Sequence, residues 1–95
     1  MKPITTQVCI EVEQKIEYTK KYTVERNFDM ELFNDKIRSR DKEFLLEHVF
    51  DISYRQATEK IGFLYLHTNQ GVLPHLVKTN PTPFIDTFRK VKQFY

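Results

Sequence analysis

Ninety-five residues, 40% of them hydrophobic and including eight Phe and five Tyr, supply one domain with bulk for one core and exclude a disordered chain. Fifteen basic and thirteen acidic residues leave a net charge of +2, short of the basic excess that marks a dedicated nucleic-acid binder. No apolar run approaches the roughly 20 residues of a membrane-crossing helix, so any membrane contact is expected to be peripheral.

Cys9 is the single cysteine, so no intramolecular disulfide forms. A lone thiol suits a reducing cytosol, and Met1-Lys2-Pro3 opens no apolar leader, so a cytoplasmic protein is expected. From Gly62 onward Lys78, Arg89, Lys90 and Lys92 stand against Asp86 alone, which makes the C-terminal part mildly basic. Residues 1–95 read as a single domain without repeat or linker, with strands over about 5–78 and a helix over about 81–94.

Residues 5–13 alternate, with Val8, Ile10 and Val12 on one side and Gln7, Cys9, Glu11 and Glu13 on the other. That pattern predicts a half-buried strand with Cys9 on the less buried face. Gln14-Lys15 reads as a turn. Residues 16–24 alternate again through Ile16, Tyr18, Tyr22 and Val24, and their β-branched and aromatic content favours strand over helix. Residues 27–29 read as a connection, and a short strand follows over 29–34. Asn34-Asp35 is a turn pair that tolerates left-handed backbone. Residues 36–41 form the returning arm, and Asp41-Lys42 turns the chain again.

Residues 43–55 admit either a helix stripe or two strands, 44–46 and 49–54. Ile52-Ser53-Tyr54 favours the strands. Residues 56–61 are a loop ending at Gly62. A hairpin then runs over 62–68 and 71–78, with Gly71 where positive φ is needed. Pro74 cannot donate to a ladder, so it should stand at an edge or a bulge. Asn80 or Thr82 caps a helix that Pro81 or Pro83 opens. Phe84, Phe88, Val91 and Tyr95, with Ile85 and Phe94 flanking, mark its apolar face. The expected fold is α+β, about seven antiparallel strands in a bent sheet or partly open barrel capped by one C-terminal helix.

Phe44-Leu45-Leu46-Glu47-His48-Val49-Phe50-Asp51-Ile52-Ser53-Tyr54-Arg55 resembles the middle strands of small bacterial pleckstrin-homology-like (PH-like) proteins. The hairpin around Asn69-Gln70-Gly71 and the Asn80-Pro81-Thr82-Pro83 helix start are similar to those proteins as well. The resemblance covers about residues 29–95. It implies a non-catalytic domain that binds a protein or peptide, or a lipid headgroup. Phosphoinositide-binding members carry a Lys-x(n)-Arg-x-Arg pattern at the first hairpin, whereas here Lys36-Ile37-Arg38-Ser39-Arg40 comes later.

Lys36, Arg38 and Arg40 share one strand parity and are the candidate binding residues, a basic stripe suited to phosphate, carboxylate or an acidic peptide. The plainer account is a solvated face that protects an edge strand. Zinc asks for roughly four ligands, and His48, His67, His75 and Cys9 are too scattered to predict a metal site or any cofactor. Cys9 shares its face with Glu11 and Glu13, which would raise its pKa, and Ser39 and Ser53 sit in no nucleophile elbow. With two glycines there is no phosphate loop. The chain is therefore expected to be no enzyme but a binding module for a protein or peptide. Homo-oligomerisation is the alternative, and stacking of nucleic acid on Phe63, Tyr65 and His67 is the least favoured.

Overall fold

The computed structural model describes residues 2–40 and 42–95. Seven strands, β1 (Thr5–Glu17), β2 (Lys20–Leu32), β3 (Lys36–Ser39), β4 (Lys42–Leu45), β5 (Val49–Gln56), β6 (Gly62–Thr68) and β7 (Gly71–Val77), precede one helix, α1 (Thr82–Lys92). They form one open antiparallel sheet in the order β4-β3-β2-β1-β7-β6-β5. β4 and β5 are consecutive in the chain yet occupy opposite edges, joined by a turn of 3-10 helix at Leu46–His48. The sheet must bend for that short link to span it, and α1 packs against both β1 and β5. The α+β arrangement expected from the sequence is the one observed.

The first two strands depart from expectation. No turn forms at Gln14-Lys15, and residues 27–29 are strand rather than connection. Pairing runs unbroken from Thr5↔Leu32 to Glu17↔Lys20, so two thirteen-residue strands meet at the two-residue turn Tyr18-Thr19. The stretch lacks Gly and Pro, and polar residues in it need no turn because the ribbon lies in solvent. The strand expected over 29–34 is the end of β2. The turn at Asn34-Asp35 forms as expected, with Phe33 N–H donating to Lys36 O at 2.8 Å. Residues 43–55 split into β4, the 3-10 turn and β5. Asp41, expected in the β3–β4 turn, lies outside the described residues.

The core is Cys9, Met30, Leu32, Ile37, Leu46, Val49, Ile52, Leu64, Leu66 and Val77, closed by Phe84, Ile85 and Phe88 of α1. Cys9 is fully buried, whereas Val8 and Val12 are 44% and 48% exposed. The placement of Cys9 on the less buried face is thus corrected, and of the apolar row only Ile10, beside β7, is buried, at 8% exposure. On the inner side Cys9 packs in one core cluster with Phe84 and Phe88 of the helix. Buried Gln7 donates from Nε2 to Val8 O (3.0 Å) and Thr79 Oγ1 (2.9 Å). No buried side-chain nitrogen or oxygen among the described residues lacks a hydrogen-bond partner. Leu64 and Leu66 are core, as their alternation implied.

Asn80 starts the helix by accepting from the Thr82 N–H (3.0 Å) and the Thr82 hydroxyl (2.6 Å). Phe94 does not join the buried face, being 89% exposed. Tyr95 lies over the β2–β3 turn and donates its hydroxyl to Asn34 O at 2.6 Å. Lys92 donates to Leu46 O, which ties the helix end to the 3-10 turn. No helix is long and apolar enough to cross a membrane.

Candidate interaction surface

The basic stripe is divided. Lys36 and Arg38 lie on β3 and share one carboxylate, Glu43 of β4, at 3.5 Å and 2.8 Å. Both cations also stand over the Phe33 ring, 5.6 Å and 5.5 Å from its centroid. The Arg38 guanidinium hydrogen bond and the Lys36 charge hold the Glu43 carboxyl below its ordinary range. Arg40 follows β3 with φ 59°, so it leaves the strand's alternation. It pairs with Glu11 of β1 at 2.5 Å and covers the Phe28 ring. Two of the three expected cations are together, half neutralised, and the third belongs to a different surface.

That surface surrounds the seam between β1 and β7. The two strands pair at one position only, Ile10↔Leu76, and diverge beyond it. The gap opens a cleft of about 310 Å³ whose wall includes Ile10, Phe28, Ser39, Arg40, Pro74 and His75. Pro74 explains part of the divergence. The β6–β7 hairpin closes at Thr68↔Gly71, and hydrogen-bonded pairs alternate from such a closure. Position 74 therefore turns its nitrogen away from β6 and toward β1, where proline has no hydrogen to give. The expectation that Pro74 stands at an edge or a bulge is corrected: β7 lies between β1 and β6 with no register shift at Pro74, and the proline is accommodated where β7 pairs with no described residue on its β1 side.

A serine and a histidine also meet, at a place that no local pattern in the chain marks. Ser39 Oγ lies 3.0 Å from His75 Nε2 across the interior, and His75 Nδ1 lies 3.2 Å from Leu73 O. With Nδ1–H donating to that carbonyl, Nε2 accepts the serine proton. Burial pushes the His75 pKa below its ordinary value, so the neutral ring is favoured. Ser39 is only 6% exposed and lies in a regular strand. The pair thus satisfies two polar groups in the core wall, and its geometry calls for no bound substrate. A second pair, Ser53 Oγ and His67 Nε2 at 2.7 Å, lies on the opposite face of the sheet. His67 and His75 therefore point away from each other, and the described residues hold no cluster suited to a metal ion.

Cys9 is fully buried. Burial first, and the Asp29 charge second, push its thiol up to about 12. The direction matches the sequence expectation, but the cause is burial rather than Glu11 and Glu13.

The feature missed from sequence is the edge of β1. Pairing with β2 closes at Glu17↔Lys20, so the odd residues of β1 bond to β2 and the even ones point away. Ile10 uses its outward groups on Leu76. Beyond it the outward N–H and C=O groups of Val12, Gln14 and Ile16 face no strand among the described residues. Val12 and Ile16 continue the outer apolar row on either side of the polar Gln14, and Ile16 is 70% exposed. Leu76, Pro74, Phe63 and Tyr65 extend the same face across β7 and β6, where the Phe63 and Tyr65 rings stack with centroids 6.1 Å apart. Edges and apolar patches of this kind mark interaction sites.

Comparison of the chain with protein-family models, with curated proteins and with solved structures finds no match.

Proposed function

We propose that this chain is a non-catalytic binding module of the PH-like kind that takes a protein or peptide by strand addition along β1. One observation carries the reading: Val12, Gln14 and Ile16 present backbone groups that pair with no strand among the described residues, on an exposed edge that carries the β-branched Val12 and Ile16. An added strand would satisfy those groups and cover the apolar side chains. Supporting it is the arrangement of seven antiparallel strands followed by one C-terminal helix. Lipid headgroups are less favoured because Glu43 already occupies Lys36 and Arg38, and Glu11 occupies Arg40.

Gln14→Pro tests the proposal cleanly. The nitrogen at position 14 faces the free edge, so proline there removes an addition site without removing a β1–β2 hydrogen bond. The tagged protein is used to capture partners from native cell extract, beside the variant. A partner held by the parent chain and released by Gln14→Pro is the expected result. Equal capture by both proteins rules out strand addition. Salt-sensitive flotation with anionic vesicles, lost in a Lys36→Glu, Arg38→Glu variant, would replace the reading with headgroup binding.

A further inference from the structure

We infer that the strand added to β1 is β1 of a second copy, in a two-fold antiparallel pairing centred on Gln14. This rests on the reading of the β1 edge as the recognition surface and names its occupant. In that register Val12 faces Ile16 of the second copy and Gln14 faces Gln14, so every outward backbone group from 12 to 16 gains a partner. The result is a four-stranded ribbon with an isologous interface.

Charge and the apolar match of Val12 with Ile16 together favour this register. On the other face of the ribbon Glu13 meets Lys15 of the second copy, and the symmetry repeats that pair. Moving the centre to residue 15 sets Lys15 against Lys15 and Glu13 against Glu17, and moving it to residue 13 sets Glu13 against Glu13, brings Glu11 to Lys15 and takes Val12 from Ile16 to Gln14. Opposite charges across a strand pair stabilise it and like charges do the reverse. Val12 and Ile16 of both copies meet on the apolar face. The other edge of the ribbon carries Lys21 and Glu25, and Glu25 is already held by Lys78 at 2.5 Å. Hydrated charges of that kind guard an edge, whereas β1 has none at its outward positions.

The hairpin tip supplies an independent observation. Tyr18 is 95% exposed and has φ 60°, a conformation that favours glycine over a bulky side chain. In the register centred on Gln14, Tyr18 of one copy arrives beside Ile10 of the other, where β7 leaves β1 and the cleft opens. An aromatic ring at the tip then covers Pro74 and Leu76 of the second copy. The like-charge meeting of Glu17 with Glu11 is softened because Glu11 is held by Arg40. The paired stretch is short, so the dimer belongs to the weak, transient class.

The test is sedimentation of the full chain from about 10 µM to about 1 mM, the range of transient affinities. The parent chain is expected to show a monomer–dimer equilibrium. Glu13→Lys and Lys15→Glu each weaken it about tenfold, since each sets two like-charge pairs face to face. The double variant restores it. Tyr18→Gly suits the turn backbone and still weakens the dimer. A parent chain that stays monomeric at the top concentration overturns the inference, as does dimerisation that ignores the single reversals or fails to return in the double variant. If a monomeric parent binds another protein and Gln14→Pro abolishes that binding, the edge reading stands and the second copy is wrong. If Gln14→Pro changes nothing, both fall. Far-ultraviolet circular dichroism of each variant separates lost association from lost fold.

Discussion

β1 and β2 are continuous strands with two different environments. Their lower halves, Thr5–Ile10 and 27–32, contribute Cys9, Met30 and Leu32 to the core, beneath the helix phenylalanines. Their upper halves pair with no strand on either outer side among the described residues and project as a two-stranded ribbon, touched only near its base by Arg40 at Glu11 and Lys78 at Glu25. The projection shows in the overall shape, 53 × 28 × 26 Å, and in a radius of gyration of 14.7 Å. A compact chain of this length would have about 12 Å. A bare hairpin is marginal in water, so the ribbon depends on its core half for register. Unbroken hydrogen bonding along a strand therefore does not imply uniform stability, and the surface left for association lies at the weakly held end.

The contrast predicts large effects at one end and small ones at the other. Phe88→Ala should cost about 3–5 kcal/mol, a major part of what a small domain possesses. Urea unfolding would show it; a loss under about 1 kcal/mol would mean that the helix is not the plug.

Cys9 reports on the same core by titration. Its folded pKa of about 12 lies above its ordinary 9.0, so the unfolded chain loses this proton first as pH rises. Its contribution to stability is complete below pH 9 and is lost toward pH 12, at about 1.4 kcal/mol per pH unit. The slope should flatten in Cys9→Ala. At neutral pH the folded thiol should resist an aromatic disulfide reagent, and fast labelling would contradict its burial.

A methyl group at Gly62 would overlap the Tyr54 ring on the neighbouring strand. Gly62→Ala should cost about 1–3 kcal/mol, and Tyr54→Leu beside it should recover part of the loss.

The His75 pKa is depressed by burial, so its contribution is present above the ordinary 6.5 and is lost as pH falls through the folded value. The denaturation midpoint should decline on acidification, and His75→Gln should shallow that decline.

Ile16→Thr belongs at the other extreme. At 70% exposure it should leave dilute-solution stability within about 0.5 kcal/mol. A larger loss would show that the ribbon is covered.

Sequence alone carried the fold further than the site. Turn chemistry at Asn34-Asp35 and Gly71, the helix start at Asn80 and the alternation of Leu64 and Leu66 each depend on neighbours in the chain, and each proved legible. The long hairpin did not, because Tyr18-Thr19 is not turn-forming by composition and nothing local says that a strand will continue unsupported. The burial of Cys9 and the exposure of Val8 and Val12 were hidden for a related reason. Val8, Ile10 and Val12 are the apolar set, and the rule that apolar residues point inward holds only where nothing else selects them. Here Phe84 and Phe88 fill the interior from more than 70 residues away in sequence. A conflict between local pattern and global placement is where function is to be sought. The Lys36, Arg38 and Arg40 stripe was visible as letters, but its partners Glu43 and Glu11 depend on pairing and on the positive φ of Arg40.

The most direct test is residue-resolved amide hydrogen exchange along β1 at low and high protein concentration. In dilute solution the Cys9 and Ile10 amides should be strongly protected and those of Val12, Gln14 and Ile16 should exchange fast. Concentrating the protein should slow those three selectively. Uniform protection along β1 in dilute solution, or fast exchange at 12, 14 and 16 that concentration leaves unchanged, would contradict a free edge that pairs with its own kind.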